Sequence, residues 1–228
     1  MPAQRLPEYR VKAKNTSANG ENAIHDDAVA QRYGFAGALV PGVTVYAYLT
    51  QPLAAAYRAA WLVRGTATVR FVRPVFEGEE VTIAAAVTGQ GRGGQTVALT
   101  AATASTPECA VMTAGLPAGA PTPVNLALYP AAPLPAERPR VSRELLLDVD
   151  ALGTPETVYD EARAAGIRHL GGARVGETLA TRGRVRSVYE RKGREYVELD
   201  VVVVAGAPAR PVAHVLHTAI YRLPPPDA

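Results

Sequence analysis

Val43-Thr44-Val45-Tyr46-Ala47-Tyr48-Leu49-Thr50 opens a run that continues through Pro52 to Leu62 and consists almost entirely of Ala, Tyr, Leu and Val. Its length and its lack of a polar face predict a helix that must be covered on most sides, with Pro52 kinking or splitting it. From Thr66 the pattern changes to strands, at Thr66 to Phe71, Glu79 to Thr88, Gln95 to Ala104 and Cys109 to Leu116, with Gly91-Arg92-Gly93-Gly94 as a hairpin connection. A core helix followed by an antiparallel meander is an α+β order, with the sheet wrapped around the helix. Upstream, Tyr9 to Lys14 alternates as a short strand does, and Asn15 to Asn22 is rich in turn formers. Asp26 to Tyr33 predicts a short helix with acidic residues in its first turn, stopped by Gly34.

The rest of the chain repeats this order. Residues 119–140 are dominated by Pro and Ala and read as a semi-rigid linker between an N-terminal unit, 1–118, and a C-terminal unit, 141–228. The second unit offers a short helix at Pro155 to Ala165 and strands near Glu177 to Tyr189, Arg194 to Ala205 and Arg210 to Leu223, with Lys192-Gly193 as a turn. Gly78-Glu79-Glu80-Val81 matches Gly176-Glu177-Thr178-Leu179, each immediately before a strand, so two fused copies are expected.

Composition narrows the function classes. The 228 residues are 48% apolar, enough for a substantial core. The single cysteine, Cys109, excludes an internal disulfide framework and reads as a buried small hydrophobe, which fits a reducing cytoplasm. The polar start, Met1-Pro2-Ala3-Gln4-Arg5, carries no signal-peptide pattern, and no apolar run reaches the roughly 20 residues of a membrane span. A net charge of +3, with arginines dispersed among acidic residues, lacks the footprint of a nucleic-acid binder. His214 and His217 lie an odd number of residues apart on one strand, hence on opposite faces, and do not form a metal pair. The glycines from Gly89 to Gly94 lack the Lys-Ser/Thr of a phosphate loop, so no nucleotide site, metal or other cofactor is expected.

The chemistry is concentrated in Asn22-Ala23-Ile24-His25-Asp26-Asp27, followed by Gly34-Phe35 and by Val40-Pro41-Gly42-Val43-Thr44 at the start of the apolar helix. A histidine one loop away from a helix N-terminus combines an acid/base group with exposed backbone N–H groups, as chemistry beside a thioester carbonyl requires. Asp26 and Asp27 also suit the first turn of a helix on dipole grounds alone. Tyr46, Tyr48 and Tyr57 are either core or the lining of an acyl tunnel.

This segment resembles the active-site region of MaoC-like hotdog proteins, the R-specific enoyl-CoA hydratases and dehydratases, and the helix-in-sheet order with two copies resembles their double-hotdog members. The resemblance implies that His25 is the catalytic histidine, preceded by the matching Asn22 and Ile24. It also implies that the Gly42 N–H polarises the thioester carbonyl, with Asp27, Val43 and Tyr46 near the substrate. Four departures are visible. Gly20 stands where the family has its catalytic aspartate, Ala23 replaces a proline, Pro41 stands where a histidine is usual, and the His25 to Gly42 spacing is one residue short. Glu21, one position on, or Asp27, a second carboxylate near His25, could substitute. The implied partner is an acyl-CoA or acyl-carrier thioester. The reaction classes are hydration or dehydration, thioester hydrolysis, or binding without catalysis. A homo-oligomer is expected, because the short second helix would leave that half poorly covered.

Overall fold

The first sheet is built by alternation. In the strand β2 (Thr66–Phe71), Ala67 and Val69 are buried while Thr68 and Arg70 are exposed. In β3 (Glu80–Gly91) the buried set is Val81, Ile83, Ala85 and Val87. Val97, Leu99 and Ala101 of β4 (Gly94–Ala102) and Ala110, Met112 and Ala114 of β5 (Ala110–Pro117) continue the same face. A two-residue period turns one side of a strand to a core. That core is closed by Val45, Leu49 and Leu53 of the helix α2 (Gly42–Tyr57). The computed structural model describes residues 5–17, 26–32, 35–129, 131, 164–191 and 194–222.

The long helix differs from its sequence reading in two ways. Pro52 is buried within unbroken helix, where it removes only its own N–H. The break comes instead at Arg58, whose φ of 51° lies in the left-handed region, and a second short helix, α3 (Ala59–Arg64), follows. That break re-aims the chain so that Trp61 is buried in the core, against Gly65, where a Cβ would meet the indole at 2.3 Å. Nor is α2 covered on most sides. Its buried residues, Val45, Leu49, Pro52 and Leu53, form one stripe, and Val43 is 76% exposed. Alanines at 47, 55 and 56 make the outer face apolar in composition but small in area.

The remaining elements are β1 (Tyr9–Lys12), α1 (Asp27–Arg32), β6 (Ala164–His169), β7 (Leu179–Arg191), β8 (Arg194–Ala205) and β9 (Arg210–Arg222). All nine strands form one sheet in the order β1-β3-β4-β5-β2-β6-β9-β8-β7. The order β3-β4-β5-β2 is thus mirrored by β6-β9-β8-β7, and the halves meet where β2 pairs antiparallel with β6. Ala164 and Ala165 belong to β6, not to the helix expected over Pro155 to Ala165, whose other residues lie outside the described ones. Two small residues followed by Gly166 read as helix or turn in isolation; pairing with β2 makes them a strand. The Lys192-Gly193 turn also lies outside the described residues. Among the described residues no helix is long and apolar enough to cross a membrane.

The internal repeat extends to individual hydrogen bonds. Gly78 and Gly176 have φ of 83° and 91°. The Glu79 carboxylate accepts the Phe76 N–H at 2.8 Å, and the Glu177 carboxylate accepts the Arg174 N–H at 2.7 Å. Nine residues beyond each glycine the following strand is irregular, between Val87 and Gly89 in one half and between Val185 and Ser187 in the other. A Gly-Glu turn followed by a bulge at fixed distance therefore occurs twice. An added Cβ would meet only Lys12 Cε at 3.8 Å at Gly78 and nothing within 4 Å at Gly176, so the cost of alanine is conformational at both sites. Gly78→Ala and Gly176→Ala should each lower stability by about 1–2 kcal/mol in denaturant unfolding. Equal costs would match the two turns, and a neutral effect at either would refute its left-handed backbone.

Candidate active site

The segment bearing Glu21, Asn22 and His25, together with Gly20, lies outside the described residues, but both of its ends are fixed. On the incoming side, the Thr16 and Thr44 hydroxyls are 2.7 Å apart, and the Lys14 N–H donates to the Tyr48 hydroxyl at 3.0 Å. The chain therefore reaches residue 17 alongside the first turn of α2. On the outgoing side, Asp27 opens α1, and its carboxylate accepts the Ala38 N–H at 2.6 Å. Leu39 then bridges Phe76, and the Val40 N–H donates to the Val75 carbonyl at 2.8 Å, which delivers Pro41 to the start of α2. Asp27 is thus a positioning residue: its carboxylate holds the strap that leads into the helix.

The start of α2 is open. Pro41 precedes the helix without a side-chain cap, and its carbonyl accepts the N–H groups of Thr44 and Val45. Among the described residues no acceptor meets the N–H of Gly42 or of Val43. At Gly42 an added Cβ would sit 3.2 Å from the Phe71 ring, so glycine allows the backbone to lie close to that ring. The Val43 side chain faces solvent. Helix-start N–H groups without partners carry the positive end of the helix dipole and can stabilise developing negative charge.

One turn further on, Tyr46 extends toward the second half. Its hydroxyl lies 3.5 Å from His169 Nε2, and the Trp61 ring meets the His169 ring edge-on at a 5.0 Å centroid distance. Burial pushes the Tyr46 hydroxyl up to about 12 and lowers His169 below the usual histidine range. Both groups are thereby held neutral near pH 7. Sequence reasoning placed Tyr46 near the substrate but missed His169, because the β2–β6 pairing that brings it there links residues about a hundred positions apart.

A second polar cluster occupies the opposite face of the sheet. Asp200 is buried; its Oδ1 accepts from the Tyr129 hydroxyl at 2.7 Å and from His214 Nε2 at 2.6 Å, and its Oδ2 accepts from Arg184 Nε and Nη2 at 3.2 and 2.9 Å. Arg168 Nη2 lies 2.8 Å from His214 Nδ1. Arginine cannot accept, so Nδ1 is the bare nitrogen and Nε2 carries the proton donated to Asp200. Burial alone would raise the Asp200 carboxyl, but the hydrogen bonds from His214, Tyr129 and Arg184 bring it below the usual range. Neither Asp200 nor Tyr129 stood out in the sequence. The only hint was an acid interrupting the apolar alternation of β8. Among the described residues no group of three His, Cys, Asp or Glu could hold a metal ion.

Comparison with solved structures identifies the architecture as a double hotdog fold. A MaoC domain protein from Chloroflexus aurantiacus, named as a candidate dehydratase, superposes with a TM-score of 0.61 at 11% identity, covering 96% of this chain and 95% of its own. A conserved double-hotdog protein from Mycobacterium tuberculosis gives 0.56 at 15% identity, over 95% and 96% of the two chains. A candidate thioesterase II from Thermobifida fusca gives 0.54 at 16% identity, over 96% of each. No family model and no curated protein sequence matches the chain.

The desolvated pair makes stability depend on pH at both ends. Below the ordinary histidine value of 6.5 the unfolded chain binds the proton that folded His169 resists, so its contribution is lost as pH falls from about 6.5 toward the lowered folded value. Tyr46 acts in the other direction: its contribution is intact below about 10 and is lost as pH rises from there toward 12. Tyr46→Phe should abolish an alkaline destabilisation of roughly 2 kcal/mol, read as the change in unfolding midpoint between pH 9 and pH 11.5. An unchanged alkaline slope in this variant would mean that Tyr46 is not desolvated.

Proposed function

We propose that the chain binds acyl thioesters, carried on CoA or an acyl-carrier protein, with the thioester carbonyl at the N-terminus of α2, and that it hydrates enoyl or dehydrates 3-hydroxyacyl groups. One observation carries the reading: the incoming end of the segment bearing His25 runs beside the first turn of α2, its outgoing end is tied through Asp27 to the strap that leads into that helix, and the N–H groups of Gly42 and Val43 have no acceptor among the described residues. Hydration of an enoyl thioester places negative charge on the carbonyl oxygen as hydroxide adds at Cβ. The Gly42 N–H would stabilise that charge and His25 would move the proton. The water must lose its proton to a base, and Gly20 cannot provide one. In this reading Glu21 takes that role. Tyr46 and His169 would bound the acyl chain beyond the thioester.

Gly20 favours a second reading, a non-catalytic binder of acyl thioesters, since the helix start can hold a carbonyl whether or not a base is present. The candidate thioesterase among the similar folds keeps hydrolysis as a third. The assay is ultraviolet loss of the conjugated double bond of enoyl-CoA, over short to long acyl chains, for wild-type protein, His25→Ala and Glu21→Ala. Hydration should fall by about 10²- to 10⁴-fold in each variant, the usual contribution of a positioned acid or base. Absence of turnover at every chain length refutes the hydratase reading. Hydrolysis of saturated acyl-CoA instead would establish the thioesterase.

A further inference from the structure

The sheet face turned away from α2 carries a groove of about 400 Å³ that the proposed thioester chemistry does not use. Gly115 and Gly166 lie in its floor, beside Ala67 and Ala114, whose side chains turn to the core on the other face, and its walls carry the threonines 66, 68, 96 and 113 with Arg168 and His214. The register explains the hollow. Thr96, Gly115, Thr66, Arg168 and His214 follow one another across β4, β5, β2, β6 and β9, and Thr113, Thr68, Gly166 and Leu216 form the adjacent row. Two glycines in neighbouring rows leave depth, while hydroxyls and a guanidinium edge it. A Cβ at position 115 would meet Thr66 Oγ1 at 2.5 Å, so any larger residue there displaces the Thr66 side chain.

Arg168 sets the chemistry. Among the described residues no carboxylate pairs with it, and its one bond goes to the bare nitrogen of His214. His214 is fixed in turn by buried Asp200, which Tyr129 and Arg184 also engage. Asp200 is therefore committed to Arg184, and the two guanidiniums leave one positive charge over. The guanidinium is held from behind, and among the described residues its other N–H groups meet no acceptor. A partly buried, oriented fork with hydroxyl donors beside it matches the geometry and charge of an oxyanion.

We propose that this groove is a ligand site for the oxyanion group, phosphate or carboxylate, of a small molecule, with Arg168 as the anchoring fork and Thr68 and Thr113 as donors. The site lies across the β2–β6 junction and stands independently of the thioester reading. The test is an NMR titration of the full chain with inorganic phosphate and, separately, with acetate, at ionic strength held constant with sodium chloride. Saturable shifts of the Arg168 Nε–H and the Gly115 and Gly166 amides are expected, with midpoints at roughly millimolar concentration. Arg168→Gln keeps a donor for His214 Nδ1 but removes the charge and should weaken binding at least about tenfold. Thr68→Val with Thr113→Val should weaken it about threefold to tenfold, and Arg168→Lys, which loses the fork, falls between wild type and Arg168→Gln. Should Arg168→Gln not fold, the Arg168→Lys and threonine variants decide. Tighter phosphate than acetate binding assigns a phosphate ligand, and the reverse a carboxylate. No saturable shift at these groups with either anion, or equal binding by wild type and variants, overturns the proposal.

Discussion

The pairing of β2 with β6, from Thr66 opposite Arg168 to Arg70 opposite Ala164, is the contact on which the rest depends. It joins a five-stranded and a four-stranded unit into a single sheet, and each half has its own antiparallel ladder on the far side of it. The strand on the second half's side begins Ala-Ala-Gly, with little side chain to drive association. The junction is held by main-chain hydrogen bonds and by contacts at its ends. Ile167 enters the core of the first half, and the His169 N–H donates to the Gly65 carbonyl at 2.7 Å. Gly65 is also where the Trp61 indole leaves no room for a Cβ, so the end of α3, the start of β2 and the docking of β6 are fixed together.

Both polar sites inherit their geometry from that junction. On the helix side, alternation along β6 puts Ile167 into the core and His169 against Trp61 and Tyr46. On the other side it puts Gly166 and Arg168 into the groove. A slip of one residue between β2 and β6 would exchange these faces, burying a guanidinium in the core and exposing Ile167. The register is specified by those side chains rather than by Ala164 and Ala165. The second half is tied down separately by Tyr129, which crosses β8 and is buried with Val202 and Val204 while its hydroxyl reaches Asp200.

Much of the fold was legible because it rests on local period. The alternation in Thr66 to Phe71 gave β2 with its observed limits, and the Gly-Glu pairs marked two turns that share backbone angle and hydrogen bonds. Cys109 is buried, and burial raises its thiol, as a small core residue requires. Where the reading failed, a distant contact overruled local preference. Pro52 looked like the break, yet the break at Arg58 is set by where Trp61 must go. Ala164 and Ala165 looked helical because nothing nearby shows the strand they join. The candidate site was legible only on its N-terminal side. Gly42 and Asp27 follow from helix-start chemistry, whereas His169 and the Asp200 cluster come together through sheet neighbours far apart in sequence.

The chemistry proposed for the start of α2 divides into a part that several reactions share and a part that separates them. Hydration, dehydration and hydrolysis of a thioester all put charge on the carbonyl oxygen, as an enolate or as a tetrahedral oxyanion, and an open helix start serves each. What differs is the proton traffic. Hydration must take a proton from water at Cβ and deliver one to Cα, so it needs two groups, or one group used twice, on the same side of the acyl plane. Hydrolysis needs a base for water at the carbonyl carbon and leaves Cα untouched. Gly20 removes one of the two positions that the MaoC-like pattern gives to hydration. In the proposed function the choice between hydration and binding without turnover therefore rests on whether a carboxylate at position 21 reaches the water that position 20 cannot. A side chain one residue along an extended segment normally points to the other side. If Glu21 serves in the proposed reaction, its carboxylate has to reach the water from one position further along the chain than the aspartate of the MaoC-like pattern, and so one residue closer to His25.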